Sequence, residues 1–186
     1  MLVLDANILI RAVLGRRLPA LIINYAATVR FVAPEVAFAE AREHLPRIAA
    51  KRRDAVEVYL ALLESVSEVI EAVDVETYAV SEKEARKRLL RRDPDDWAVL
   101  ATALAFNYTI WTEDTDFFGA GVATYTTDRV ELFLKSAGTN RSTDASRQNQ
   151  PPPFRQSPST KIKSWLANQP LTPLPPLHLS SHSAIL

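Results

Sequence analysis

The apolar triplet Leu2–Leu4 runs straight into Asp5 and then into a helical stretch, and this order of short strand, polar edge and helix recurs along the first 136 residues. Hydrophobic periodicity and breaker residues predict strands at 2–4, 30–33, 69–73, 108–111 and 122–125. They predict helices at 8–14, 18–28, 34–53, 54–65, 81–91, 94–106 and 128–135, with a kink or break at Pro46. The 94–106 helix is apolar almost all round and is expected to be buried. Strands alternating with helices imply an α/β domain with a mainly parallel central sheet. Right-handed crossovers then carry the carboxyl ends of all strands to one edge of that sheet.

Composition narrows the chemistry such an edge can carry. At 186 residues with 47% hydrophobic content, the chain can bury one full core. It has no cysteine, so any bound metal must be held by oxygen or histidine. Asp5 interrupts the apolar start, no basic region or cleavage site follows it, and no stretch approaches about 18 uncharged apolar residues. The expectation is a cytoplasmic protein without a transmembrane span. Residues 1–136 hold 17 Lys/Arg against 21 Asp/Glu, a balance of −4. The broad basic field typical of a nucleic-acid binder is therefore absent from this part, and a polyanionic substrate would need bound cations or local basic patches. Beyond about Gly138 the chain holds eight of its 12 prolines, five basic residues and the single acid Asp144. Apart from a few residues at 162–167, periodicity is lost there. A domain over 1–136 and a disordered Pro/Ser-rich tail over 137–186 are expected.

The acids fall in separate segments. Asp5 follows the first strand, with Asn7 two positions on; both also suit a helix N-cap. Glu40 is the only charge between Val36 and Ala41, one helical turn after Val36 and Ala37, so its carboxylate emerges beside an apolar surface. An uncompensated carboxylate in such a place is costly, and a pairing with Arg47 is the structural alternative. Glu35 and Glu43 are more easily placed in solvent. In the 93–96 run, Asp93 and Pro94 satisfy helix-start chemistry by themselves. Asp96, however, lies at helical spacing from Val99, Leu100 and Ala103, so it faces the core side while Asp93 and Asp95 face water. Asp114 and Asp116 follow the 108–111 strand through Thr112 and Glu113, in what could equally be an ordinary polar loop.

If Asp5, Glu40, Asp96 and Asp114 converge to about 5 Å, each pair repels by roughly 3 kcal/mol at an effective dielectric near 20. Several such pairs would consume much of a domain's stability of about 5–15 kcal/mol. The cluster must take up protons or bind cations, and oxygen-only ligation favours Mg²⁺ or Mn²⁺.

LDAN near the start, the isolated Glu40, RDPDDWAVLATALA and IWTEDTDFFGAGV together resemble the PIN-domain nucleases, most closely the toxins of bacterial VapBC-type toxin–antitoxin pairs. The resemblance covers about residues 1–136. It implies a PIN-like three-layer α/β/α sandwich and a Mg²⁺- or Mn²⁺-dependent endoribonuclease cleaving single-stranded RNA. By the same resemblance, Asp5, Glu40, Asp96 and Asp114 are the catalytic acids, and Asp5, Asp96, Asp114 and Asp116 hold the metal. Glu40 ligates it or orients water, and Asn7 and Thr112 support. A homodimer and a small antitoxin partner are also implied. The clusters at 51–53 and 86–92 are candidate phosphate contacts, though solvated helix faces explain them as well. Trp97, Trp111, Phe117 and Phe118 suit a core, with Phe117 and Phe118 the candidates for stacking a base. His44 lies one turn from Glu40. Two other readings keep the acids: phosphoryl transfer through Asp5, and a non-catalytic binding module whose acids pair with the arginines.

Overall fold

The computed structural model describes residues 1–143. Strands β1 (Leu2–Leu4), β2 (Phe31–Pro34), β3 (Glu71–Val73), β4 (Thr109–Trp111) and β5 (Thr124–Tyr125) form one sheet in the order β3-β2-β1-β4-β5. Every pairing is parallel, with Val3 between Val32 and Ile110. The helices are α1 (Ala6–Leu14), α2 (Arg17–Tyr25), α3 (Glu35–Arg52), α4 (Val56–Ser67), α5 (Val75–Ala79), α6 (Glu82–Leu89), α7 (Trp97–Phe106) and α8 (Val130–Thr143).

The two-residue period of the strands divides the core into two layers. Leu2, Leu4, Phe31, Ala33 and Trp111 point to one face, where they meet Ile8, Ile22, Leu45, Leu63 and Leu134 from α1–α4 and α8. Val3, Val32, Val73 and Ile110 point to the other, against Tyr78, Leu89 and Leu100 from α5–α7. The result is a three-layer α/β/α sandwich, as the resemblance implied. β1 is buried on both faces, which is why it reads as an unbroken apolar run. Each fully buried leucine there contributes on the order of 1.5–3 kcal/mol.

From β1 the chain steps outward through α1 and α2 to β2, then through α3 and α4 to β3. The crossover through α5–α7 returns it to the opposite side of β1 as β4. Strand order therefore reverses between β1 and β4, and the crevice outside the carboxyl ends of two such strands is where open α/β sheets bind ligands. Asp5 and Thr112 sit at those two ends.

Four local expectations change. Of the kink or break expected at Pro46, the break is absent: the helix runs from Glu35 to Arg52. Proline removes one backbone bond and crowds the preceding turn, but Ala41, Leu45, Ile48 and Ala49 anchor the helix in the core on both sides of it. α5 was not anticipated; it is too short to show periodicity, and Asp74 caps it by accepting the Thr77 amide at 3.0 Å. The 94–106 segment opens as a single 3₁₀ turn, Pro94–Asp96, before α7, and Ala105 near its end is exposed rather than buried. α8 continues to Thr143, past Lys135 where the closing helix was expected to stop. The rest of the Pro/Ser-rich segment, including 162–167, lies outside the described residues. Among the described residues no helix is long and apolar enough to cross a membrane.

Candidate active site

Asp5 ends β1 and caps α1. One carboxylate oxygen, Oδ1, accepts the Ala6 amide at 2.6 Å. Its Oδ2 accepts the Thr112 hydroxyl at 2.7 Å and the Asn7 side-chain amide at 2.5 Å. Thr112 Oγ1, completely buried at the end of β4, also accepts from Asn7 Nδ2 at 3.0 Å and from the Asp114 amide at 2.9 Å. Asn7 Oδ1 accepts the Glu113 amide at 3.2 Å, tying the loop after β4 to the start of α1. Asp114 in turn accepts the Asp116 amide at 2.8 Å and starts the 3₁₀ turn Thr115–Phe117. Capping and site-building are thus one arrangement at the β1/β4 switch point.

In the third acidic segment the residues separate by environment. Asp93 accepts the Asp95 amide at 3.0 Å, which is helix-start chemistry, and the Asp95 side chain is 98% exposed. Asp96 is half-buried and in the electrostatic field of Asp5, Asp93, Asp114 and Glu40. Glu40 comes from the face of α3 near its start. The alternative pairing with Arg47 is not formed: His44 Nε2 stands 3.6 Å from Glu40 Oε1, while Arg47 Nη2 is 3.0 Å from His44 Nδ1. A guanidinium only donates, so Nδ1 is the accepting atom in that contact and Nε2 is the atom turned toward Glu40. The sequence placed His44 one turn from Glu40 but gave no sign of the relay through Arg47. Glu35 and Glu43 are exposed.

The carboxylates hold protons above their ordinary range. Burial lifts Asp5 from 3.8 to about 6, against the lowering effect of the Thr112 and Ala6 hydrogen bonds, with the charge of Asp114 adding to the rise. Desolvation, then the charges of Asp5, Glu43 and Asp93, push Glu40 up to about 7, although 53% of its side chain is exposed. Asp96 is raised most, to about 8, by burial and then by Asp5, Asp93, Asp114 and Glu40. Asp114 is raised by burial and by Asp116 and Asp93, partly offset by the Asp116 amide. Acids from four segments therefore act on one another: Asp114 raises Asp5, Asp5 raises Glu40, and all three raise Asp96, while Asp93 adds to Glu40, Asp96 and Asp114.

Among the described residues no three carboxylate or imidazole side chains stand close enough, as placed, to grip one ion together. Holding one would require the acids to draw inward. The donors nevertheless fit a hard divalent cation: they are carboxylate oxygens, none of Asp5, Asp96 or Asp114 is within 4.0 Å of a lysine or arginine nitrogen among the described residues, and a cation would offset the burial cost and the repulsion that together raise their pKa values.

The aromatic and basic candidates resolve unevenly. Phe117 is completely buried and is unavailable to a base, whereas Phe118 beside it is 40% exposed. Trp111 is buried against Phe31, and its indole donates to Thr127 at 3.2 Å. Arg86 and Arg88 pair with Glu82 and Glu84 at i,i+4, a spacing legible in the sequence. Glu113, passed over in the sequence, accepts the Thr127 amide at 2.9 Å and lies 4.0 Å from Arg11, helping to seat the loop.

Comparison with known proteins adds a family and a fold. The sequence pattern of the family described as PIN domain matches residues 3–135. No curated protein matches the chain. A chain of VapBC2 from Rickettsia felis, solved bound to a DNA fragment from the promoter, is similar in structure with a TM-score of 0.54 at 16% identity, over 67% of this chain and 97% of that one. A chain of VapBC-1 from nontypeable Haemophilus influenzae gives 0.48 at 18% identity, over 67% and 96%.

Proposed function

The chain belongs to the PIN domain family, and we propose that it is a metal-dependent endoribonuclease hydrolysing phosphodiester bonds of single-stranded RNA. The observation that carries this reading is the coupling of Asp5, Glu40, Asp96 and Asp114 at the β1/β4 switch point, each raised in pKa and each partly by another of the four or by Asp93 and Asp116. Asp5, Asp96 and Asp114, with Asp116 beside them, would hold Mg²⁺ or Mn²⁺. Bound there, the ion would supply a Lewis acid that lowers the pKa of water and neutralises charge developing on the phosphate.

The chain's own groups do the positioning. Three hydrogen bonds from Ala6, Asn7 and Thr112 fix the Asp5 carboxylate, so its orientation does not depend on a ligand. Glu40, with a pKa near 7 and an open side chain, is poised to orient the attacking water and take its proton. His44, held at Nδ1 by Arg47, turns Nε2 toward that carboxylate. Asp96, which holds its proton to about pH 8, would give that proton up to hold an ion beside Asp114.

Residues 1–136 form the nuclease unit in this reading, acting in the cytoplasm. The resemblance to VapBC-type toxins favours a toxin role, with a homodimer and a small antitoxin as partners. Phosphoryl transfer through Asp5 is disfavoured because both of its oxygens are engaged by donors in a site only 8% exposed. A purely structural acid–arginine module is disfavoured because these acids have no arginine within ion-pair distance among the described residues.

The test is cleavage of a labelled single-stranded RNA with Mn²⁺, with Mg²⁺ and with EDTA, by wild type and by Asp5→Asn, Asp96→Asn and Glu40→Gln. Metal-dependent cleavage lost in folded variants is the expected result. Unchanged cleavage by Asp5→Asn and Asp96→Asn would overturn the assignment.

A further inference from the structure

Helix α6 and the turn after it carry three arginines whose guanidinium groups bond to the two acid-bearing segments on either side. Arg86 donates from Nε to Glu82 at 2.7 Å and from Nη1 to the Pro94 carbonyl at 3.2 Å, and its guanidinium lies 4.8 Å above the Trp97 ring. These contacts bracket Asp96. Arg88 is held by Glu84 at 2.8 Å and donates from Nη1 to the Ala120 carbonyl at 3.0 Å. Arg92 donates from Nη1 to the carbonyls of Asp116 and Phe118. The loop after β4, which carries Asp114 and Asp116, is thereby attached by three carbonyls to the element that leads into Asp96.

Glycines make the attachment possible. Gly119 and Gly121 have φ of +86° and +82°, a region open to glycine and strained for other residues. A Cβ on Gly121 would lie 2.8 Å from Arg88 Nη1, and one on Gly119 would lie 3.3 Å from Arg92 Nη2. The guanidinium groups thus occupy the space that side chains would fill. The 86–92 cluster was a candidate phosphate contact from sequence, but here these three arginines spend donors on the protein itself.

We propose that Arg86, Arg88 and Arg92 form a brace that sets Asp114 and Asp116 at their distance from Asp96, and that Arg88 and Arg92 are positioning residues of the carboxylate site. The carbonyls they hold can turn to water when released, so removal costs the fold little and the site its geometry. Positioning of this kind behind metal-holding groups is worth about 10- to 100-fold in metal affinity. The inference rests on the nuclease reading for its consequence, but the brace itself can be read without it.

The experiment compares wild type, Arg92→Ala, Arg88→Ala, Arg92→Lys and, as a control outside these bonds, Arg91→Ala. Hydrogen exchange reports the Phe118 and Ala120 amides, which donate to Thr115 and Phe117 within the loop. Calorimetric titration reports Mn²⁺ affinity, and thermal melting reports the fold. The expected result is faster exchange at both amides and at least about tenfold weaker Mn²⁺ binding in Arg92→Ala and Arg88→Ala. Partial recovery in Arg92→Lys, an unchanged Arg91→Ala and melting close to wild type complete the expectation. Unchanged exchange would overturn the brace, and faster exchange with unchanged Mn²⁺ affinity would overturn its positioning role. If wild type itself binds no Mn²⁺, the nuclease reading fails, and the exchange data alone decide whether the brace exists.

Discussion

The hydroxyl of Thr112 donates to Oδ2 of Asp5 at 2.7 Å across 107 residues of sequence, joining the carboxyl ends of the two strands between which the sheet reverses its order. The same oxygen accepts from Asn7 and from the Asp114 amide, so one buried atom connects two of the acid-bearing segments.

Replacing Thr112 by valine keeps the shape and removes that atom. The Asp5 oxygen loses one donor and the Asp114 amide its acceptor, in a position with no exposure, at a cost of about 1–3 kcal/mol. Urea unfolding should show a lower midpoint with an unchanged slope. Wild-type stability would contradict the network described.

Asp96→Asn should separate stability from activity. Asp96 is held up near pH 8 by burial and by the charges of Asp5, Asp93, Asp114 and Glu40. A neutral amide there removes repulsion, so the variant should melt higher than wild type in EDTA at alkaline pH while losing RNA cleavage. A lower melting temperature together with retained cleavage would contradict both halves.

The metal-free protein should lose stability as pH rises. In the unfolded chain Asp5, Glu40 and Asp96 ionise near 4, but folded they hold protons to about 6, 7 and 8. Below pH 4 both states are protonated and these groups contribute no difference. Between about 4 and 8 the folded state binds more protons, so unfolding becomes easier with each step upward. Asp5 alone accounts for about 3 kcal/mol of that loss. Carboxylates lowered by partners, such as Asp74, Glu84 and Glu131, act in the opposite sense but only below about pH 4.5, where they are neutralised. Melting in EDTA from pH 4.5 to 9 should therefore show a decline, and added Mn²⁺ should reverse it at the alkaline end. A rising curve in EDTA would show that the folded state does not hold these protons.

Two left-handed positions offer a test of the backbone alone. Arg53 ends α3 at φ 60°, ψ 33°, and Asn107 ends α7 at φ 55°, ψ 49°. That conformation costs most residues about 1–2 kcal/mol, while glycine's extra freedom in the unfolded chain offsets up to about 1 kcal/mol of the relief. Arg53→Gly should therefore stabilise by up to about 1 kcal/mol, and Asn107→Ala should destabilise by about the same amount. Thermal melting reads both, and an Arg53→Gly variant less stable than wild type would show that the arginine side chain itself matters there.

The alternation of apolar strands and helices determined the layered parallel sheet by itself, because burial on both faces demands unbroken apolar strands and parallel pairing demands helical crossovers. Residue spacing also separated Asp96 from the solvent-facing Asp95, since helical geometry fixes which side chains share a face. The path through Pro46 and the short helix α5 lay beyond it, because burial of a helix face and a local Asp74 cap outweigh what propensity records. The structure alone decided that Phe117 is sealed in the core while Phe118 stays open, that Glu40 faces His44 rather than Arg47, and that Arg88 and Arg92 of the 86–92 cluster bind carbonyls of the loop after β4. The burial of Phe117 and the loop bonds of Arg88 and Arg92 depend on which distant segment packs alongside, whereas the Glu40–His44 choice is made between rotamers on one helix; a local pattern records neither.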